Sequence, residues 1–393
     1  MSKAISNTLI SGIGQMTYSV HQHWDPLKVC AVGRSYPPEF YSFIQNPRVR
    51  SVMERIAIET EEDYQKLIKL LESFGVTIVR TKIRSMTEEL SAPPMTPRDY
   101  TAMIGDTFYM PANTASEDWK NIRGDDWPAL CPTSIEQFDA IDTNIKLELS
   151  NKFNINEFSE LAGNHYFTLL DIKNKIESQG NKIIYGKNVN TAETTRIGKD
   201  LYFGTHSYHQ DQQALRYEAE KAFPDYRCHI INTGGHADGT FCPVVPGLIV
   251  SLYDISTYAD TFPGWEVVYL PGQSWDAVRP FLDLKEKNRG KWWVPGEELN
   301  DAFTDFVESW LGHWVGYVEE TVFDVNMLVI DEKNVVCNNY NEQVFEAFNR
   351  YGITPHIVNF RHRYFWDGGL HCITSDLHRE GVQKDYFPER RLT

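Results

Sequence analysis

Four times along this chain two short apolar runs are joined by a tight turn, and each time the pair opens on an acid or an amide. Asp99-Tyr-Thr-Ala-Met-Ile-Gly-Asp-Thr-Phe-Tyr109 bends at Gly105-Asp106, and Glu193-Thr-Thr-Arg-Ile-Gly-Lys-Asp-Leu-Tyr-Phe203 bends at Gly198-Lys199-Asp200. Asp238-Gly-Thr-Phe-Cys-Pro-Val-Val-Pro-Gly-Leu-Ile-Val-Ser251 bends at Pro246-Gly247, and Asn326-Met-Leu-Val-Ile-Asp-Glu-Lys-Asn-Val-Val336 around Asp331 to Asn334. Glycine, proline and aspartate at the bend, with branched and aromatic residues on either side, are the chemistry of β-hairpins. If the hairpins stand around a common centre, their opening residues meet there, as functional groups do at strand ends in ring-like and barrel architectures. The copies share no sequence and are unevenly spaced, so pattern alone does not make them a repeat.

Between the hairpins the period changes. Residues 50–73 place Val52, Ile56, Ile58, Tyr64, Leu67, Ile68 and Leu71 at roughly helical spacing, and Gly75 follows as a stop. Val76 to Val79 then reads as a strand, and Trp24-Asp-Pro-Leu-Lys-Val-Cys-Ala-Val-Gly33 as a turn followed by a first strand. Further helices are expected over 210–223 and 299–315, whereas 113–180 is polar and acidic and yields no assignment. Alternating α and β elements point to an α/β class with packed layers. No Pro/Gly-rich linker divides the chain, so residues 24–393 read as one domain preceded by a loose arm, residues 1–23.

The formal net charge of -16 argues against general affinity for nucleic acid or an anionic membrane, which need a basic face, and suits a cationic small substrate. Six cysteines are scattered without a CxxC pair, which fits a reducing compartment. Neither a signal-peptide pattern nor a run of about 18 apolar residues is present; a soluble, cytoplasmic protein is expected. Cys30, Cys228, Cys242 and Cys337 lie in apolar runs and read as small buried hydrophobes.

Cys372 differs. It follows Gly368-Gly369 in Trp366-Asp-Gly-Gly-Leu-His-Cys-Ile-Thr-Ser-Asp-Leu-His-Arg379, where the backbone can approach a ligand closely. His371, His378 and Arg379 are near it in sequence, but adjacent and alternating residues need not face it, so they do not establish an activated thiol. His206, His209, His362 and the C-terminal histidines match no metal frame such as HExxH. Thr233-Gly-Gly-His-Ala-Asp-Gly-Thr240 has glycines but no Lys-Ser/Thr continuation of a phosphate loop. Neither metal nor cofactor is expected. That stretch does set His236 and Asp238 two residues apart, on one side of the chain if it is extended.

Taken together, Gly235-His236-Ala-Asp238-Gly-Thr-Phe241 and, some 130 residues on, Gly-Gly-Leu-His-Cys372-Ile-Thr-Ser-Asp resemble the arginine:glycine amidinotransferases and their relatives. Thr96-Pro-Arg-Asp99-Tyr and Asn326-Met-Leu-Val-Ile-Asp-Glu-Lys resemble two further motifs of that family, and the likeness runs with gaps from about Trp24 to Gly381. The resemblance implies the pentein fold, a five-bladed propeller of ββαβ units around a central substrate channel. It also implies roles. Asp99 and Asp238 would hold a planar guanidinium, Cys372 would attack its carbon to give an amidino-cysteine, and His236 would serve as acid and base. Arg196 and Asn326 fall at positions the family uses around its substrate. The partners implied are a guanidino donor such as arginine and an amine acceptor; a homodimer is entertained, and the sequence leaves the oligomeric state open.

Three positions depart from the family pattern. An acidic residue that orients the histidine is expected six residues ahead of Arg196, where this chain has Asn190. An amide orients an imidazole but does not stabilise its charged form as a carboxylate does. Either Glu193 takes over by a shift of register, or the enzyme works with a tuned-down histidine, or catalysis is lost and binding kept. Asp324 stands where the glycine-using enzymes have serine, and Gly235 where a bulkier residue precedes the histidine. Both suggest an acceptor other than glycine. The alternatives to amidino transfer are a deiminase-like hydrolase of the same superfamily and a non-catalytic guanidino-ligand binder.

Overall fold

The structure, a computed structural model, describes residues 17–81, 93–111, 172–186, 189, 191–205, 212–233, 236–252, 258–270, 292–311, 314–315, 324–366 and 368–390. The four hairpins form where the turn chemistry puts them. They are β3 (Ala102–Ile104) with β4 (Thr107–Pro111), β6 (Thr194–Ile197) with β7 (Asp200–Thr205), β9 (Phe241–Val245) with β10 (Leu248–Ser251), and β12 (Leu328–Asp331) with β13 (Asn334–Cys337). Gly105, Gly198 and Gly247 take positive φ at three of the bends, a region that favours glycine. At Gly198 a Cβ would stand 2.0 Å from the carbonyl oxygen of Lys384. The fourth bend is an Asx-type turn in which Asp331 Oδ1 accepts from the Lys333 amide at 2.8 Å.

Each hairpin is extended by a third strand that lies parallel to its second. These strands are β5 (Lys182–Gly186), β8 (Arg227–Asn232), β11 (Glu266–Tyr269) and β14 (Thr354–Ile357). A parallel return needs a crossover, and helix precedes the third strand every time: over 172–178, in Gln212–Ala222, in Tyr258–Thr261 and in Glu342–Tyr351. A fifth sheet has the same connectivity but is assembled from the two ends of the described chain. Its central strand β1 (Leu27–Val32) runs antiparallel to β15 (Thr374–Arg379) and parallel to β2 (Thr77–Arg80). The fold is therefore mixed α/β, with five three-stranded sheets of one topology among the described residues.

The crossover of the fifth sheet is α1 (Pro47–Ser73), opened by Asn46, whose side chain accepts from the Arg48 and Val49 amides. Its buried face, Val49, Met53, Ile56, Leu67 and Leu71 among others, packs against a second helix, Asp301–Trp310, which ends five residues short of the expected span. The largest core joins Leu27 and Met53 to Phe303, Ile330 and Ile373, so both ends of the sequence share one interior. The expected loose arm is docked from residue 18 on. Val20 and Trp24 are fully buried, and Val20 and Gln22 bridge to Gly105 and Ile197, the bends of the first two hairpins. Residues 113–170, unassigned from sequence, lie outside the described residues.

Candidate active site

Every sheet has a polar residue just ahead of its first strand: Asp99 before β3, Glu193 before β6, Asp238 before β9, Asn326 before β12 and Cys372 before β15. Four of the five are in contact or in one electrostatic neighbourhood. Cys372 lies in a turn over 370–373 and is buried. Its amide N–H and that of His371 both donate to Asn326 Oδ1, at 3.1 and 2.7 Å. The other end of the same amide donates from Nδ2 to the sulfur at 3.1 Å and to the carbonyl oxygen of Asp238 at 3.1 Å. Gly369 makes this possible, because a Cβ there would stand 2.5 Å from Asn326 Oδ1. The Gly-Gly pair thus admits the neighbouring side chain of Asn326.

The thiol also lies 3.3 Å from Asp238 Oδ2, which accepts from His371 Nδ1 at 2.8 Å. Burial pushes Asp238 up, but the hydrogen bond from His371, with His236 and Arg98 adding to it, leaves it below the usual carboxylate range. Burial raises Asp99 to about 6, with Asp238 adding to the rise and His236 and Thr96 opposing it. Burial and then the two carboxylates push the Cys372 thiol well above its usual range, against a lowering contribution from Asn326. The sulfur is therefore held as a thiol by its surroundings. Burial and then Arg98 lower His371 to about 4, despite Asp238.

Asp99 and Asp238 each keep Oδ1 buried without a hydrogen-bond partner among the described residues. Buried carboxylate oxygens left open are costly, and they suit a ligand bearing several N–H donors and a positive charge. A guanidinium is planar and offers five.

Both carboxylates are delivered by short 3-10 turns, Pro97–Asp99 and Ala237–Gly239. This corrects the extended reading of His236 and Asp238. His236 is the residue ahead of the second turn and is exposed, while Asp238 is buried. His236 contributes to lowering both Asp99 and Asp238. Glu193 is buried at the start of β6, with its carbonyl oxygen accepting from Gly204. Asn190 and Gly235 lie outside the described residues. Asp324 is part-buried and accepts from Asn339 Nδ2 at 2.9 Å.

Arg196 is not at the open carboxylates. Its guanidinium is buried, donating to the Met103 carbonyl oxygen and to both oxygens of Asp376 at 2.8 and 2.9 Å. Arg98 and Arg379 converge on the same carboxylate at 3.0 and 2.7 Å. Burial would raise Asp376, but the three guanidiniums hold it well below the carboxylate range. Arg98 also donates from Nε to the His371 and Thr374 carbonyl oxygens, so this ion cluster clamps the Cys372 turn from behind. The sequence held signals for it: Arg98 sits beside Asp99, and Asp376 is a lone charge within Ile373-Thr-Ser-Asp-Leu377. Strand alternation would turn His371 away from Cys372. That rule does not govern a turn, where adjacent side chains can face one carboxylate.

No family model matches the chain. It is 22% identical over 409 residues to the mitochondrial glycine amidinotransferase of Xenopus tropicalis, covering 98% of this chain and 87% of that protein. It is 22% identical over 201 residues to the L-arginine:L-lysine amidinotransferase of Pseudomonas savastanoi pv. phaseolicola, covering 50% of this chain and 46% of that one. Among solved structures, the amidinotransferase of the saxitoxin biosynthetic pathway from Microseira wollei superposes with a TM-score of 0.58 at 16% identity, over 95% of this chain and 100% of that chain. The inosamine-phosphate amidinotransferase of Streptomyces griseus gives 0.57 at 17% identity, over 94% and 99%. These two superpositions carry the fold.

Proposed function

We propose that this chain, a member of the amidinotransferase family, moves an amidino group from arginine or a similar guanidino donor to an amine other than glycine through an amidino adduct on Cys372. The observation that carries this reading is the Cys372 sulfur seated 3.3 Å from Asp238, beside two buried carboxylate oxygens that lack a partner among the described residues. The five sheets of one topology support a five-bladed arrangement with these groups at its centre.

The donor guanidinium binds between Asp99 and Asp238, which fix its plane and bring Cζ over the sulfur. The incoming cation offsets the field of the two carboxylates that keeps the thiol protonated. The thiol passes its proton to His236, the thiolate attacks Cζ, and the Cζ–Nε bond breaks with its electron pair going to nitrogen. His236 protonates that nitrogen, ornithine leaves, and the amidino group remains on sulfur. The acceptor amine gives a proton to His236 and attacks the same carbon; the C–S bond breaks and the sulfur departs as thiolate. Asn326, donating to the sulfur, stabilises that thiolate at both ends of the cycle. Glu193 or Asn190 orients His236. Asp324 replaces the serine of the glycine-using pattern and supports a different acceptor, as does the relative named for lysine.

The test is intact-mass analysis of the protein incubated with arginine and a panel of amines. The expected result is an amidino adduct on Cys372 that is discharged by an amine, with ornithine released. Citrulline formed without any amine would make the protein a hydrolase, and arginine binding without an adduct would make it a binder.

A further inference from the structure

Asp238 has two oxygens with different surroundings, and His371 separates them. Oδ2 accepts from His371 Nδ1 at 2.8 Å and faces the Cys372 sulfur at 3.3 Å, whereas Oδ1 is buried and without a partner among the described residues. The His371 backbone cannot shift to follow the carboxylate. Its amide donates to Asn326 Oδ1 at 2.7 Å, and its carbonyl oxygen accepts from Arg98 Nε at 2.9 Å. The imidazole is itself buried and packs against the buried ring of His23, 5.7 Å between centroids. A carboxylate next to a rigid donor has its rotation fixed, because turning would break a charge-assisted hydrogen bond in a dry setting.

Resting on the proposed donor site, we infer that His371 is a positioning residue for arginine capture: its Nδ1–H holds Asp238 in the one orientation that leaves Oδ1 open to the guanidinium and Oδ2 over the thiol. His371 does not touch the reacting carbon and takes no proton in the cycle. The groups facing it are Asp238 and Asn326 ahead of their strands, Arg98 behind, Cys372 beside it and His23 from the N-terminal segment. Burial and Arg98 keep it neutral, so its single proton lies on Nδ1, where the ionised Asp238 accepts it.

The first experiment needs no substrate. Nitrogen-15 NMR of the imidazoles in the full-length protein should show His371 neutral and protonated at Nδ1 at pH 7, with that signal moved by Asp238→Asn. A proton found on Nε2, or a charged ring, would overturn the proposal whatever the donor is. The second experiment follows adduct formation on Cys372 against arginine concentration and pH. His371→Ala should raise the half-saturating arginine concentration about ten- to a hundredfold, the loss of one hydrogen bond to a charged group, with a smaller fall in the maximal rate. His371→Asn, whose amide N–H can replace Nδ1–H, should recover most of the loss. His371→Gln, with its amide one carbon further out, should recover less. With Asp99 replaced by Asn, the fall of arginine capture in acid that remains belongs to Asp238 and should move to higher pH when His371→Ala is added, because Asp238 loses the hydrogen bond that holds its pKa down. Half-saturation unchanged in a folded His371→Ala protein, or His371→Asn as impaired as His371→Ala with wild-type circular dichroism, would refute the positioning role. Wild-type protein that neither binds arginine nor forms the adduct refutes the donor site itself, and the NMR result then still decides the His371 hydrogen bond.

Discussion

At the scale of single residues the site is a contest between burial and charge. Cys372 is held as a thiol by burial and two carboxylates, unlike reactive cysteines that lie in electropositive surroundings. Cys372→Ser is expected to abolish adduct formation, to below about a thousandth of the wild-type rate, while arginine binding measured by calorimetry persists. Asp99, raised to about 6, must be ionised to hold a cation. It is charged above that pH and neutral below it, so arginine capture should fall as pH drops through about 6. Asp99→Asn should remove this limb and weaken capture about tenfold or more, read from the pH profile of half-saturation. A limb that stays in place would assign it elsewhere.

At the scale of elements, what matters is what stands at the mouth of each hairpin. Asn326 joins the β12 hairpin to the Cys372 turn through three hydrogen bonds of one amide group and to the Asp238 carbonyl oxygen through a fourth. Asn326→Asp keeps the acceptor for the two backbone amides but removes the donor to sulfur and adds a charge beside it. Alkylation of Cys372 by iodoacetamide should then slow about tenfold, one unit of thiol pKa. Asp376 on β15 has the opposite duty, since it compensates three buried guanidiniums. Its folded pKa is depressed, so the stability it contributes is present above the unfolded carboxylate value of about 3.9 and is lost only as pH falls toward the folded one. Asp376→Asn should cost about 3–5 kcal/mol at neutral pH, measured as a lower urea midpoint with the slope unchanged. The local chemistry of these elements was legible in sequence: Gly105, Gly198 and Gly247 mark bends, and Gly75 with φ of 77° follows the end of α1.

At the scale of the whole molecule, the first and last described strands meet in one sheet, and the largest core draws on both ends of the chain. Denaturation followed by tryptophan fluorescence and by far-ultraviolet circular dichroism should therefore give coincident transitions; two separated midpoints would divide the chain into domains. No helix among the described residues is long and apolar enough to cross a membrane. Cys372, His236, Asp99 and Asp238 as the candidate chemistry came from the family resemblance that their short motifs carry. The four hairpins and their polar leaders followed from the sequence, because turns and caps are written within about ten residues of chain. The fifth unit did not, since its hairpin is split between β15 and β1 and no local window contains both. Nor did the fates of the charges. Arg196 meets Asp376 across 180 residues, His371 meets Asp238 across 133, and Arg98 reaches Asp376 across 278. Which buried cation pairs with which carboxylate depends on how the five sheets are set side by side, and only the tertiary structure decides that, because burial makes each ion take the nearest partner in space.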